Sequence, residues 1–246
     1  MRVALAVVLC ALAVLPAPAD TVREARTFEW LPGRLLALDV TVGDVRVEGS
    51  DRNDVEVTIQ RTAPTAEGLA ALPLEITETP GRVAIRLVQA DGRSDPALRA
   101  EVVVRMPSTA LVEQVRVMEG RLQVERFRGT LTADLRRGPI EGTDVSGTLR
   151  LETVIGSITL RNARLDPGGL LRLRAFNGDV RVHMAGAPSD ARILALALNG
   201  SIRSDIPLTT RDTWGPRWSE ATLGKGEPLI SIDVVTGSVE ILTKSE

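Results

Sequence analysis

Few residues in this chain have the type and spacing to do chemistry. The one histidine, His183, lies in "GDVRVHM". It stands one place beyond Val182 in an alternating run, so on a strand it points away from the buried side. Nucleophilic catalysis needs a base beside the nucleophile, and a histidine metal cluster needs more than one histidine. His183 therefore reads as a solvated strand residue. Asp134, Glu141 and Asp144 are carboxylates close in sequence. Gathered in one groove by adjacent turns of chain, they would supply the acid and base of glycan cleavage. Asp44 and Asp179 each follow a glycine, and Gly168 and Gly169 form an isolated pair. The GGxGxD run of calcium-binding repeats is missing, so these aspartates read as turn caps. Trp214 and Trp218 stand among Arg211, Asp212, Arg217 and Glu220. Either they pack over the end or side of the fold, or they form an exposed aromatic pair for a partner, since tryptophan is enriched at binding hot spots. Sequence alone assigns no catalytic, cofactor-binding or metal-binding residue, and no cofactor.

The elements that would position these residues begin after a leader. "MRVALAVVLCALAVLPAPAD" carries Arg2, an apolar run from Val3 to Leu15, and Ala17-Pro18-Ala19 as a small-x-small cleavage signature. This is the pattern of a secretory signal peptide over residues 1–19, with an apolar run too short to span a bilayer. Cleavage would remove the chain's one cysteine, Cys10. The mature protein would then hold together by its core, without disulfides, in an oxidising compartment. No second long apolar run follows, so no transmembrane segment is expected in the mature chain. The net charge of −2 offers no basic excess for nucleic acid.

Tyrosine is absent, and the mature region is rich in valine, isoleucine, leucine, threonine and glycine. This is strand composition. Gly120, Gly129, Gly138, Gly147 and Gly156 recur every nine residues; Gly178 and Gly200 follow at intervals of 22, and Gly237 closes the series. Two places after each stands an aliphatic: Leu122, Leu131, Ile140, Leu149, Ile158, Val180, Ile202 and Val239. Four places after stand Val124, Ala133, Gly142, Leu151, Leu160, Val182, Ser204 and Ile241. Thr130, Arg150, Thr159, Arg181 and Glu240 intervene. Such alternation predicts strands with one buried face, and a fixed period predicts stacked units. Nine residues make a strand and a turn, so two units make one coil of about 18 residues, lengthening to about 22. The glycines would mark corners that favour positive φ. The rival reading is a stack of hairpins, since Asn-Gly also opens hairpins.

The front differs. "RLLALDVTVGDVRVEGSDRNDVEVTIQRTA" reads as three alternating strands with turns at "VGDV" and "GSDRND", "APTAEGLAALPLE" as a short helix, and Thr79-Pro80-Gly81 as a hairpin turn. Residues 20–107 are expected to form a β-rich subdomain capping the first coil. Residues 108–246 are expected to form the repeats, with an excursion at about 205–228.

Three features bear a resemblance to a known family. They are "GDVRVEGSDRNDVEV", the entry "MPSTALVEQVRV" before the G-x-[IVL] repeats, and the ending "NGSIRSDIPL" then "LGKGEPLISIDVVTGSVEIL". In these the chain resembles the bacterial putative-adhesin domain family, over roughly Phe28 to Leu242. The resemblance implies an exported β-solenoid or β-roll and brings no catalytic residues.

The expectation is an all-β protein: a β-solenoid, parallel β-helix or β-roll in kind, with a β-rich N-terminal cap. It would be an exported monomer, periplasmic or at the cell surface. It would bind an envelope protein or glycan through its outward strand faces, without catalysis. A polysaccharide-active enzyme with a carboxylate groove and an envelope-stress accessory protein are the alternatives.

Overall fold

The computed structural model describes residues 19–90, 92–211 and 217–243. The leader thus lies outside the described residues, apart from Ala19. β1 (Asp20–Glu29), β2 (Leu35–Ser50) and β3 (Asp54–Ala63) open the chain. The short helix α1 (Ala66–Ala71), the hairpin of β4 (Glu75–Thr79) and β5 (Arg82–Leu87), and β6 (Arg99–Pro107) follow. β7 (Leu111–Glu125) leads into pairs of a longer and a shorter strand. These are β8 (Thr130–Arg137) with β9 (Ile140–Thr143), β10 (Thr148–Ile155) with β11 (Ile158–Ala163), and β12 (Leu170–Asn177) with β13 (Val180–Met184). Next come β14 (Ala191–Asn199) with β15 (Ile202–Ser204), then β16 (Thr209–Arg211) and β17 (Arg217–Leu223). β18 (Leu229–Thr236) and β19 (Val239–Leu242) are last.

The molecule is all-β apart from α1, with one large mixed sheet that does not close. Its body is two parallel ladders. The longer strands pair in the order β2, β7, β8, β10, β12, β18, β14. The shorter pair as β7, β9, β11, β13, β19, β15, with the second half of β2 alongside β7. β2 and β7 are long because each runs through both ladders. At the front, β5 joins the first half of β2 and β6 the second. β3 and β1 extend that edge antiparallel. At the far end β17 pairs antiparallel with β14, and β16 with β17.

The alternating aliphatics line the space between the ladders. Leu122, Ile140, Ile158, Val180, Val239 and Ile202 stand in register in the shorter ladder, and all but Ile202 are buried. Leu131, Leu149, Leu171, Ile230 and Ile193 do the same in the longer one. The nine-residue period is thus an alternation between ladders, and one longer strand with one shorter strand takes about two periods.

Chain order and spatial order part at the end. β18 lies between β12 and β14, and β19 between β13 and β15. Gly237, last of the repeated glycines in sequence, sits between Gly178 and Gly200. The last coil in the chain is not the last in the stack.

The corner glycines have a second reason beside the positive φ expected, which Gly120, Gly138, Gly147, Gly156, Gly178 and Gly237 do adopt. They stack in columns at which neighbouring coils nearly touch. A Cβ on Gly138 would lie 1.7 Å from the carbonyl oxygen of Gly120, and one on Gly156 1.9 Å from that of Gly138. The column runs on through Gly178, Gly237 and Gly200, while Gly129 and Gly147 belong to a second corner. Gly138 does adopt a positive φ of 132°, but close backbone approach alone would exclude any side chain.

Candidate binding surfaces

Each ladder presents one outward face, and the two differ in chemistry. On the shorter-strand face, rungs of charge neutralise each other across neighbouring coils. Arg46 pairs with Glu48 and Glu125 at 2.9 Å each, and Arg181 with Glu240 at 2.8 Å. Hydrogen bonding to Glu125 raises the Arg46 guanidinium further above its usual range, against a smaller opposing effect of burial. Gln123 donates to Glu141 at 3.3 Å. Exposed pairs of this kind contribute about 0–1 kcal/mol each. They make this face polar and self-satisfied.

Two aspartates fasten the corner beside it. Asp44 accepts from the backbone N–H of Arg121 at 2.9 Å, and Asp179 from that of Ser238 at 2.8 Å. Both bonds run to the next coil in space, so these residues tie coils together. Among the described residues no group of three or more histidine, cysteine, aspartate or glutamate side chains could hold a metal ion.

On the longer-strand face one rung reads Asp39, Arg116, Asp134, Glu152, Arg174, Asp233, Leu196 and Trp218 across neighbouring strands. A shallow depression of about 370 Å³ lies over Arg116, Met118, Asp134, Arg136, Glu152 and Val154. A second, of about 460 Å³, lies at the edge where the shorter strands turn back, over Ser108, Arg126, Arg128, Asp144 and Arg164.

The three carboxylates singled out in the sequence are not brought together. Asp134 points out from β8 and accepts from Gln114 at 2.9 Å. Glu141 points out from β9 on the other face, and Asp144 stands in the turn beyond it, hydrogen-bonded to Asn162. Asp134 and Glu152 are cross-strand neighbours, but Glu152 leans to Arg174 at 3.9 Å and Asp134 to Gln114. His183 is half-buried on β13 opposite Leu242.

Trp218 lies on β17, opposite Leu196 of β14 and Arg211 of β16, and is 45% exposed. Trp214 falls outside the described residues. The sequence reading missed a second apolar feature. Two places before each corner glycine of the first column stand Met118, Arg136, Val154, Phe176, Val235 and Leu198. Met118, Val154, Phe176 and Leu198 are 39–54% exposed. Reading the repeat backward from its glycines would have found this column.

No protein-family model matches the chain, and no curated protein matches it in sequence. Solved structures do match. A putative cell adhesion protein from Clostridium sporogenes superposes with a TM-score of 0.53 at 12% identity, over 92% of this chain and 100% of that one. In fold, the chain is similar to that putative cell adhesion protein. A putative adhesin from Bacteroides fragilis aligns over 90% of this chain and 97% of its own, with a TM-score of 0.42 and 10% identity. At such identities the likeness is one of fold. Among the described residues no helix is long and apolar enough to cross a membrane.

Proposed function

We propose that this chain is a non-catalytic, exported binding or scaffold protein of the cell envelope, and that its stacked coils form a β-solenoid. Residues 20–107 cap the first coil, residues 108–246 carry the repeats, and the excursion over about 205–228 covers the far end. The observation that carries the reading is the arrangement of the carboxylates. Asp134, Glu141 and Asp144 sit on separate sides of the stack, each with its own hydrogen-bond partner. Shallow outward faces remain as the working surface. The name given to the Clostridium sporogenes structure agrees with a protein that binds rather than transforms. The partner is an envelope protein or a glycan, met by a monomer with Trp218 on its outward face.

Protease shaving of intact cells, with detection of this chain's peptides, tests the reading. Release from intact cells places the protein on the surface; release only after the outer barrier is opened places it in the periplasm. Recovery with the cytoplasmic fraction would overturn it.

A further inference from the structure

The outward face of the longer ladder breaks the polar pattern of the repeats at one column. Met118, Arg136, Val154, Phe176, Val235 and Leu198 hold the same place in successive coils, next to the corner. Because the pairing register stays constant there, these side chains fall in one line. At strand spacing the line is about 24 Å long. Ile155, 47% exposed, widens it at the centre, and Trp218, opposite Leu196, stands one rung over beside its Leu198 end. Large apolar side chains lined up in water are uncommon and mark contact sites.

We propose that this ridge docks on the surface of a lipid bilayer. The proposal goes beyond the reading of an exported envelope protein by adding a lipid surface to the protein or glycan it meets, and it rests on that reading. Two observations favour lipid over other occupants. The ridge's half-exposed side chains offer of order 500 Å² of accessible area, short of the ~800 Å² per partner that a stable protein interface buries. Exposed arginines also lie on this face without an acid partner. Arg150 and Arg172 stand directly opposite each other across β10 and β12. Neither they nor Arg136 forms an ion pair among the described residues. Two like charges side by side are mildly unfavourable. Anionic headgroup phosphates relieve that repulsion and suit guanidinium geometry. The ridge enters the interface while these arginines meet the headgroups.

The test is co-sedimentation of the purified mature chain with phosphatidylcholine/phosphatidylglycerol vesicles. The wild type is expected to sediment, and less so with phosphatidylcholine alone. Phe176→Ser with Leu198→Ser should weaken binding about tenfold while melting like the wild type, since both positions face solvent. Val154→Ser supplies an independent variant should that pair unfold. No sedimentation of the wild type, or equal binding by the variants, would overturn the proposal. So would a wild-type dimer, seen by light scattering, that Phe176→Ser splits, because a second copy would then cover the ridge. Failure here leaves the exported-binder reading standing. A cytoplasmic location would remove that reading without altering the vesicle result.

Discussion

The coils of residues 128–184 and those of residues 191–242 are built from the same pattern but assembled by different rules. In the first region each coil stacks on its predecessor: β10 on β8, β12 on β10. In the second, the last pair of strands inserts between two earlier ones, and the edge left over is sealed by an antiparallel hairpin. The pattern therefore fixes how a coil is made and leaves open which coil lies beside which. Ala195, Ala197 and Ser204 supply small inward residues to the coil that ends up last. An end coil has neighbours on only one side to pack against. Its free edge is a hazard, and β17 with β16 covers it.

The largest test removes the inserted pair. A chain ending at Leu223 loses β18 and β19, the parallel partners of β14 and β15. Limited proteolysis should then digest residues beyond Met184 and spare the earlier coils. Persistent protection of β14 would show that coils can stack in chain order after all. Cross-linking sharpens the same point in the full-length mature chain, which would contain no cysteine. Arg172→Cys with Ser231→Cys joins cross-strand neighbours and should form an intramolecular disulfide. Arg172→Cys with Leu194→Cys should not, because β18 separates them by two strand spacings, about 9.6 Å. The opposite yields would reverse the order deduced here.

Next in size is the glycine column. Gly156→Val places a side chain against the Gly138 carbonyl, with no room to move except by parting two coils. The expected loss is about 3 kcal/mol or more, several degrees in Tm by calorimetry. Gly186→Ala, with nothing near its added carbon, should stay within about 0.5 kcal/mol. Equal losses at both sites would sink the close-approach account.

The smallest effect lies at the front of the chain. Arg52 bonds Asp54 at 2.5 Å and Glu56 at 3.1 Å. The hydrogen bond from Arg52 holds the Asp54 carboxyl below its usual range. A depressed carboxylate adds stability above its unfolded pKa of about 3.9, lost as pH falls through its lower folded value. Asp54→Asn should lower the Tm slightly at pH 7 and converge with the wild type in acid, which flattens the acid limb of a Tm–pH profile below about pH 4. A steepened acid limb would contradict the assignment.

By itself the sequence determined most of the strands, the buried columns, the glycine corners and the Thr79-Pro80-Gly81 hairpin, while the turn expected at "VGDV" is the middle of the continuous β2, which crosses from one ladder to the other. Alternation and turn chemistry are local, and each residue carries its own part of the signal. It also held the apolar column from Met118 to Leu198, legible once the repeats are aligned on their glycines. Stacking order was decided only in three dimensions. "LLRLRAFNG", "RILALALNG" and "LISIDVVTG" all bury alternate residues and end on a glycine corner, so each fits the same slot. Choosing among them depends on non-local packing and on the connections between coils. The same is true of the carboxylates: their closeness in sequence said nothing of sidedness, and the alternation of strands and turns placed Asp134, Glu141 and Asp144 apart.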